Sequence, residues 1–348
     1  MKTLVWHKAV DVRLEERPIP QPGPGELLIR IRALGICGSD LKLYKYGILG
    51  TLQPTHPFIM GHEGAGQVSE IGVNVEGFKL GDPVIINPQA ACGDCFYCRK
   101  SEQNLCERLN FKSVTTDGVF SEFVLVRADQ AIHLPNGFDF GLATTVEPVS
   151  VALQAIRSTK ITASDSVLLF GAGSIGLAVL SILCSVGVSK VAMVDPQEYA
   201  LERARKLGAT ITLNPQKDEL ARKISESFGT RGPDIVIEAS GSSSAQSMVF
   251  EFARPGGVII LTGITAEATA NVNVNRLVRS NLRVFGSVRT SGDTFQTAAQ
   301  LVTSGRVDTR TWISQVFPFE QAPQAFAYTS DQSHQVTKCL LKFPDFHI

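Results

Sequence analysis

The sequence predicts an α/β protein of two domains: a β-rich domain that is discontinuous in the chain, and a doubly wound parallel sheet. Three observations lead there. From Ser164 onward, apolar strands and helices alternate strictly. A glycine turn, Gly171-Ala172-Gly173-Ser174-Ile175-Gly176, joins the first of those strands to its helix. From Met1 to about Arg157 the texture is instead short alternating runs, such as Leu27–Ile31, broken by proline and glycine as in PIPQPGPGE.

Within the alternating half, Val167–Phe170 reads as a strand and Ser174–Val186 as an apolar helix. Val191–Val194 is the next strand. Tyr199–Leu207 is an amphipathic helix with Ala200, Ala204 and Leu207 on one face, and Gly208 stops it. Ile211–Leu213, Ile235–Glu238, Val258–Leu261 and Leu282–Phe285 continue as strands, with helical segments at Glu219–Ser227 and Ser243–Phe252. Beyond Arg289 a helix (Thr294–Thr303) and a closing strand (Lys338–Phe343) are expected to pack back on the first domain. The expected boundaries are therefore 1–157 with 289–348 for the β-rich domain, and 158–288 for the parallel-sheet domain.

The chain has 348 residues, enough for two domains with real cores. Its 33 Lys and Arg balance 33 Asp and Glu, so no net basic charge invites a nucleic acid or an acidic membrane. The longest uncharged run, Ser166–Ser189, has the length of a membrane span. The glycines at its head and its strand–turn–helix pattern point instead to a buried βα unit. Seven cysteines without a signal peptide suggest a reducing, cytoplasmic setting.

Four of the cysteines, Cys92, Cys95, Cys98 and Cys106, form a C-x2-C-x2-C-x7-C ladder. Thiolates this dense in one loop can close a tetrahedral structural zinc site. An iron–sulfur cluster uses the same number of cysteines and is the main rival. A disulfide framework belongs to small secreted chains, and a redox pair needs only two cysteines.

The glycine turn follows a strand and opens a helix, with Asp195 ending the next strand. That context makes it a dinucleotide site. Gly171 permits the tight turn, Gly173 the approach of a pyrophosphate, and Gly176 close helix–strand packing. Ser174 and Ile175 begin the helix, whose free N–H groups meet the phosphate charge. Asp195 would accept from the adenosine ribose hydroxyls and repel a 2′-phosphate, which favours NAD over NADP.

Cys37 in GICGSD, His62 and Glu63 in MGHEGAG, and Glu147 in VEPV are individually unremarkable. Together they supply a thiolate, an imidazole and two carboxylates, a donor set suited to Zn2+. Three protein ligands and an open position is the layout of catalytic zinc.

With CGSD, GHE, the four-cysteine lobe, EP, and GAGSIG with its downstream Asp, the chain resembles the zinc-dependent medium-chain dehydrogenase/reductase family over essentially its full length. EPVSVALQA is most similar to its sorbitol/polyol dehydrogenase branch. The resemblance implies a GroES-like catalytic domain and a Rossmann domain. It also implies two zinc ions per subunit, one catalytic and one structural. Its catalytic ligands fall on Cys37, His62 and Glu63, with Glu147 contacting the oxygen in the fourth place, where ordinary alcohol dehydrogenases have a second cysteine. Animal sorbitol dehydrogenases have lost the cysteine lobe, so here the chain is similar to the microbial or threonine-dehydrogenase-like form. The implied activity is oxidation of a secondary hydroxyl of a polyol such as sorbitol, xylitol or galactitol to a ketone, with hydride passing to NAD. Zinc would act as a Lewis acid on the alcohol oxygen. Ser39 would carry the proton away, and Lys42 stands where much of the family completes the relay with a histidine; a solvated surface lysine is its equal alternative.

At the substrate end, Arg289 is in register with an arginine that contacts polyol hydroxyls in that branch. The branch's next residue is a tyrosine; here it is Thr290. Another branch tyrosine is replaced by Leu43, with Tyr44 one place later. These departures leave open a polyol phosphate, an L-threonine 3-dehydrogenase-like activity or a simple secondary alcohol. Retention of every zinc ligand argues against a non-enzymatic NAD-binding structural protein. The family implies a homodimer or homotetramer.

Overall fold

The structure is a computed structural model that describes residues 1–50, 53–265 and 269–344. The chain divides into two compact units, 1–147 with 290–305 and 313–348, and 148–289 with 306–312. Residues 148–157, 289 and 306–312, placed by sequence in the β-rich domain, group with the second unit.

The first unit is built around the strand Glu26–Ile36. It pairs antiparallel with Glu63–Ile71, with Phe123–Arg127, and with the last strand, Lys338–Lys342. Pro83–Ile86, Ala131–His133 and Ile313–Pro318 extend the same seven-stranded sheet. A second sheet of three strands, Asp11–Glu16, Lys2–Lys8 and Phe58–Ile59, shares one core with it, and Gln89–Ala90 pairs separately with Asn110–Phe111. That core holds Leu4, Trp6, Leu27, Ile29, Ile31, Leu34, Phe120, Phe319 and Phe326. Leu27, Ile29 and Ile31 recur with the period of two that puts alternate side chains on one sheet face. The first turn of the helix Gly38–Tyr46 follows directly from the central strand, and Gly47, at φ 69°, ends it in the left-handed region.

The second unit contains a six-stranded parallel sheet in the spatial order Ile211–Leu213, Lys190–Val194, Ser166–Phe170, Ile235–Glu238, Val258–Leu261, Arg283–Gly286. Numbered along the unit this order is 3-2-1-4-5-6, the doubly wound arrangement that carries a ligand crevice at the carboxyl ends of its strands. The strand Ser166–Phe170 lies mid-sheet, and Val167, Leu168, Leu169 and Phe170 are all buried. Covering of both faces explains why the sequence there reads as a continuous apolar run rather than an alternating one. The helices Ser174–Ser185, Glu198–Lys206 and Leu220–Phe228 lie within a residue of their expected places. The Ser243 helix is shorter than expected, giving way at Val249 to a 3-10 turn. Among the described residues, no helix is long and apolar enough to cross a membrane.

Candidate metal centres and cofactor site

The cysteine lobe builds its site locally. A single helical turn, Phe96–Arg99, is flanked by Cys95 before it and carries Cys98 inside it, while a 3-10 turn, Gln103–Leu105, delivers Cys106. The four sulfurs lie within 4.8 Å of one another. Cys92 is 3.8 Å from Cys98 and 3.5 Å from Cys106, sulfur to sulfur. Four thiolates about 2.3 Å from a central zinc would be ~3.8 Å apart, and a disulfide would bring two sulfurs to about 2 Å. The spacing therefore fits a metal, and all seven cysteines are free. The backbone N–H groups of Cys98 and Glu107 donate to Cys95 and bring its thiol down to about 6. Burial, with neighbouring thiols adding to it, pushes Cys98 up to about 12.

The second cluster is assembled from distant segments. Cys37 caps the helix Gly38–Tyr46 at the end of the central strand. Glu63 begins the strand Glu63–Ile71 directly opposite Gly35. His62 and Glu63 are buried, and ligand atoms of Cys37, His62 and Glu63 lie within 4.8 Å of one another. Asp40 accepts from the Cys37 backbone N–H at 3.0 Å, and its other oxygen lies 3.7 Å from His62 Nδ1. That contact leaves Nε2 of the ring for a metal, as a carboxylate behind a ligand histidine commonly does. The loop before His62 is fixed from below. Gly61, at φ 86°, donates to the Ser113 hydroxyl at 2.9 Å, and a Cβ on Gly61 would sit 2.1 Å from the Phe120 ring.

Electrostatics in this cluster are dominated by burial and by like charge. Burial, and then Glu63, push the Cys37 thiol up to about 12. Burial also pushes Glu147 up to about 8, with Glu63 and Cys37 adding and His62 and Lys338 opposing. Burial pulls His62 down, but the carboxylates of Asp40, Glu147 and Glu63 outweigh it and leave it raised. Glu63 Oε1 is buried and has no hydrogen-bond partner among the described residues. A thiol, an imidazole and an unpaired carboxylate oxygen converging in this way fit zinc, which takes up a thiolate and releases its proton.

In the second unit the glycine turn has the geometry its sequence suggests. Gly171 is at φ 99°, and a Cβ there would meet Ser240 N at 2.7 Å. A Cβ on Gly176 would sit 1.8 Å from the Gly171 carbonyl oxygen. Gly173 faces open space and precedes the helix Ser174–Ser185 without a side-chain cap. This bare helix N-terminus suits a pyrophosphate. Asp195 accepts from Ala172 N and from Gln197 N, each at 2.8 Å, so its carboxylate is set beside the turn. Glu238, which the sequence reading passed over, is fully buried. Its Oε1 accepts from Ser240 N, Ser240 Oγ and Gly241 N at 2.6–2.8 Å, and so braces the segment on which Gly171 rests.

Residues 23–136 match the alcohol dehydrogenase GroES-like domain, and residues 174–304 match the zinc-binding dehydrogenase domain. A sorbitol dehydrogenase of Bacillus subtilis is 30% identical over 93% of this chain and 92% of its own. The chain belongs to the zinc-dependent medium-chain dehydrogenase/reductase family. A D-xylulose reductase A of Aspergillus oryzae is 33% identical over 90% of this chain and 89% of its own. Among solved structures, an L-idonate 5-dehydrogenase of Escherichia coli superposes with a TM-score of 0.91 at 27% identity, covering 98% of both chains. A short chain alcohol dehydrogenase of Escherichia coli complexed with NADH gives a TM-score of 0.91 at 28% identity, covering 99% of both.

This medium-chain dehydrogenase is an oxidoreductase acting on a small molecule. The Ser39 hydroxyl hydrogen-bonds the Cys37 sulfur, and Lys42 is half-buried one turn along the same helix. Glu147, the second residue of the helix Val146–Arg157, is buried and acts on the cluster through its charge, outside the tight three-ligand set. Tyr44, expected at the substrate end, is buried in the core cluster with its ring 5.6 Å from Phe326. Arg289 is at φ 55°, next to Thr290, which the Gln89 side-chain amide grips at both its N–H and its carbonyl. Lys338 was not foreseen. It is buried at 1% exposure and paired with Glu63. A lysine beginning a closing strand gives no sign of this in the sequence, because the pairing depends on strand register.

Proposed function

We propose that this protein oxidises a secondary hydroxyl of a polyol to a ketone, with zinc and NAD as its cofactors. The observation that carries the reading is the convergence of Cys37, His62 and Glu63 beside the buried carboxylate of Glu147, with no second cysteine in the set. The sorbitol dehydrogenase and D-xylulose reductase relatives support the substrate class. When bound, zinc supplies a Lewis acid for the alcohol oxygen and NAD the hydride acceptor. Cys37, His62 and Glu63 would hold the metal, and Glu147 would orient the reacting oxygen. Ser39 takes the departing proton outward along the helix that carries Lys42. Arg289 binds substrate hydroxyls. The backbone of Gly171–Gly176 receives the pyrophosphate and Asp195 the adenosine ribose, which selects NAD.

A homodimer or homotetramer fits the second unit. Its strand Arg283–Gly286 is a sheet edge with exposed Val284, and Val274, Val278 and Val288 nearby in sequence are exposed as well. An uncovered edge with apolar side chains is a template for pairing with a second copy. The free thiols suit a reducing, cytoplasmic setting.

The test is NADH formation over free polyols, polyol phosphates, L-threonine and simple secondary alcohols, with and without a zinc chelator. Chelator-sensitive turnover of free polyols is expected. Turnover confined to threonine or simple alcohols overturns the substrate class, and chelator-insensitive turnover overturns the role given to zinc.

A further inference from the structure

A lysine at 1% exposure is costly unless its charge is matched, because the interior solvates an ammonium poorly. Lys338 has two partners, and both belong to the Cys37–His62–Glu63 cluster or its frame. Its Nζ donates to Glu63 Oε2 and, at 3.2 Å, to the carbonyl of Ile36, the residue before Cys37. The register of the last strand puts it there: Cys339 lies opposite Ile36 in the central strand. The backbone beneath the pair has been left bare. A Cβ on Gly35 would fall 2.0 Å from Glu63 Oε2 and 3.1 Å from Lys338 Cε, so any side chain at that position would split the pair. The other Glu63 oxygen, Oε1, is the buried atom without a protein partner.

We propose that Lys338 is a resident cation of the metal centre: it occupies one oxygen of Glu63, leaves the other for zinc, and weakens the grip of the site on the metal. The inference rests on the assignment of Cys37, His62 and Glu63 as zinc ligands. The physical reason is a competition between two cations for one carboxylate. In the metal-free protein Lys338 is the cation bonded directly to Glu63, and removing it leaves a buried charge poorly matched. With zinc present, the metal balances the same carboxylate. Loss of Lys338 therefore penalises the metal-free state more than the loaded one, and by linkage zinc binds more tightly. A residue that merely supported the fold would penalise both states alike.

The experiment uses the full chain, stripped of metal and titrated with zinc against a chromophoric chelator, with the thermal midpoint recorded for metal-free and loaded protein. Lys338→Met and Lys338→Gln remove the charge by two routes, so the readout survives if one of them folds poorly; Lys338→Arg keeps the charge. For Met and Gln the expected result is a zinc dissociation constant lower by about tenfold and a wider gap between the two midpoints. Arg should stay close to the parent in both. Unchanged or weaker zinc binding in the uncharged variants, with both midpoints falling together, overturns the proposal. If the parent chain takes up zinc only at the cysteine lobe, the ligand assignment itself falls, and the parent titration alone reveals that.

Discussion

The first unit holds two thiol-bearing clusters that solve the same problem in opposite ways. The lobe draws four sulfurs from one short stretch, 92–106, and surrounds them with backbone N–H donors. The Cys37 cluster draws one sulfur, one imidazole and several carboxylates from segments brought together by the sheet. In the lobe, N–H groups bring Cys95 down to about 6, although burial holds its neighbour Cys98 up at about 12. Around Cys37, burial and neighbouring carboxylates oppose a thiolate and the thiol rises to about 12. A closed set of four like ligands has nothing left to offer a substrate. A mixed set of three, ringed by groups that can move protons and balance charge, can stabilise a metal and still leave one of its positions open.

The sharpest way to break this contrast is Cys37→Ser. It should leave the lobe's zinc in place, halve the zinc content and lower turnover by roughly a thousandfold or more, as loss of a Lewis acid worth several kcal/mol requires. Thermal stability should change little, and a fully active variant would end the assignment. Cys98→Ser should give the reverse pattern. The first unit should lose several kcal/mol of stability with the lobe's metal, while turnover per folded molecule changes far less. An unaltered melting temperature would mean that the lobe holds no metal.

Graded chelation sharpens the contrast further. A site with three protein ligands should empty before one enclosed by four thiolates, so activity should vanish at chelator levels that leave the melting temperature untouched. Simultaneous loss of both would show that the two sites are equally closed. The smallest effect is expected in the other unit, away from either cluster. Asp195→Ala should reduce the preference for NAD over NADP by about tenfold, the scale of a hydrogen bond to a charged group. An unchanged preference would remove Asp195 from the ribose.

The second unit was the most legible part of the chain. Its inner strands, such as Ser166–Phe170 and Ile235–Glu238, are buried on both faces, and Gly171 and Gly176 sit where a side chain would collide, so period, length and the glycine turn carry the information locally. The lobe was legible for the same reason: its ligands are neighbours in sequence. Cys37, His62, Glu63 and Glu147 were recognisable only as a pattern shared with a family, since nothing local to each residue marks it.

The sequence by itself determined the parallel sheet, the glycine turn with Asp195, the thiol ladder and the types of donor available for a metal. Each rests on interactions between residues close together in the chain. Only the tertiary structure decided that Tyr44 belongs to the core and that Lys338 is buried against Glu63. The Lys338 pairing follows from the register of the strand Lys338–Lys342 on Glu26–Ile36, and from the bare backbone at Gly35, which lets a buried carboxylate and a buried ammonium meet.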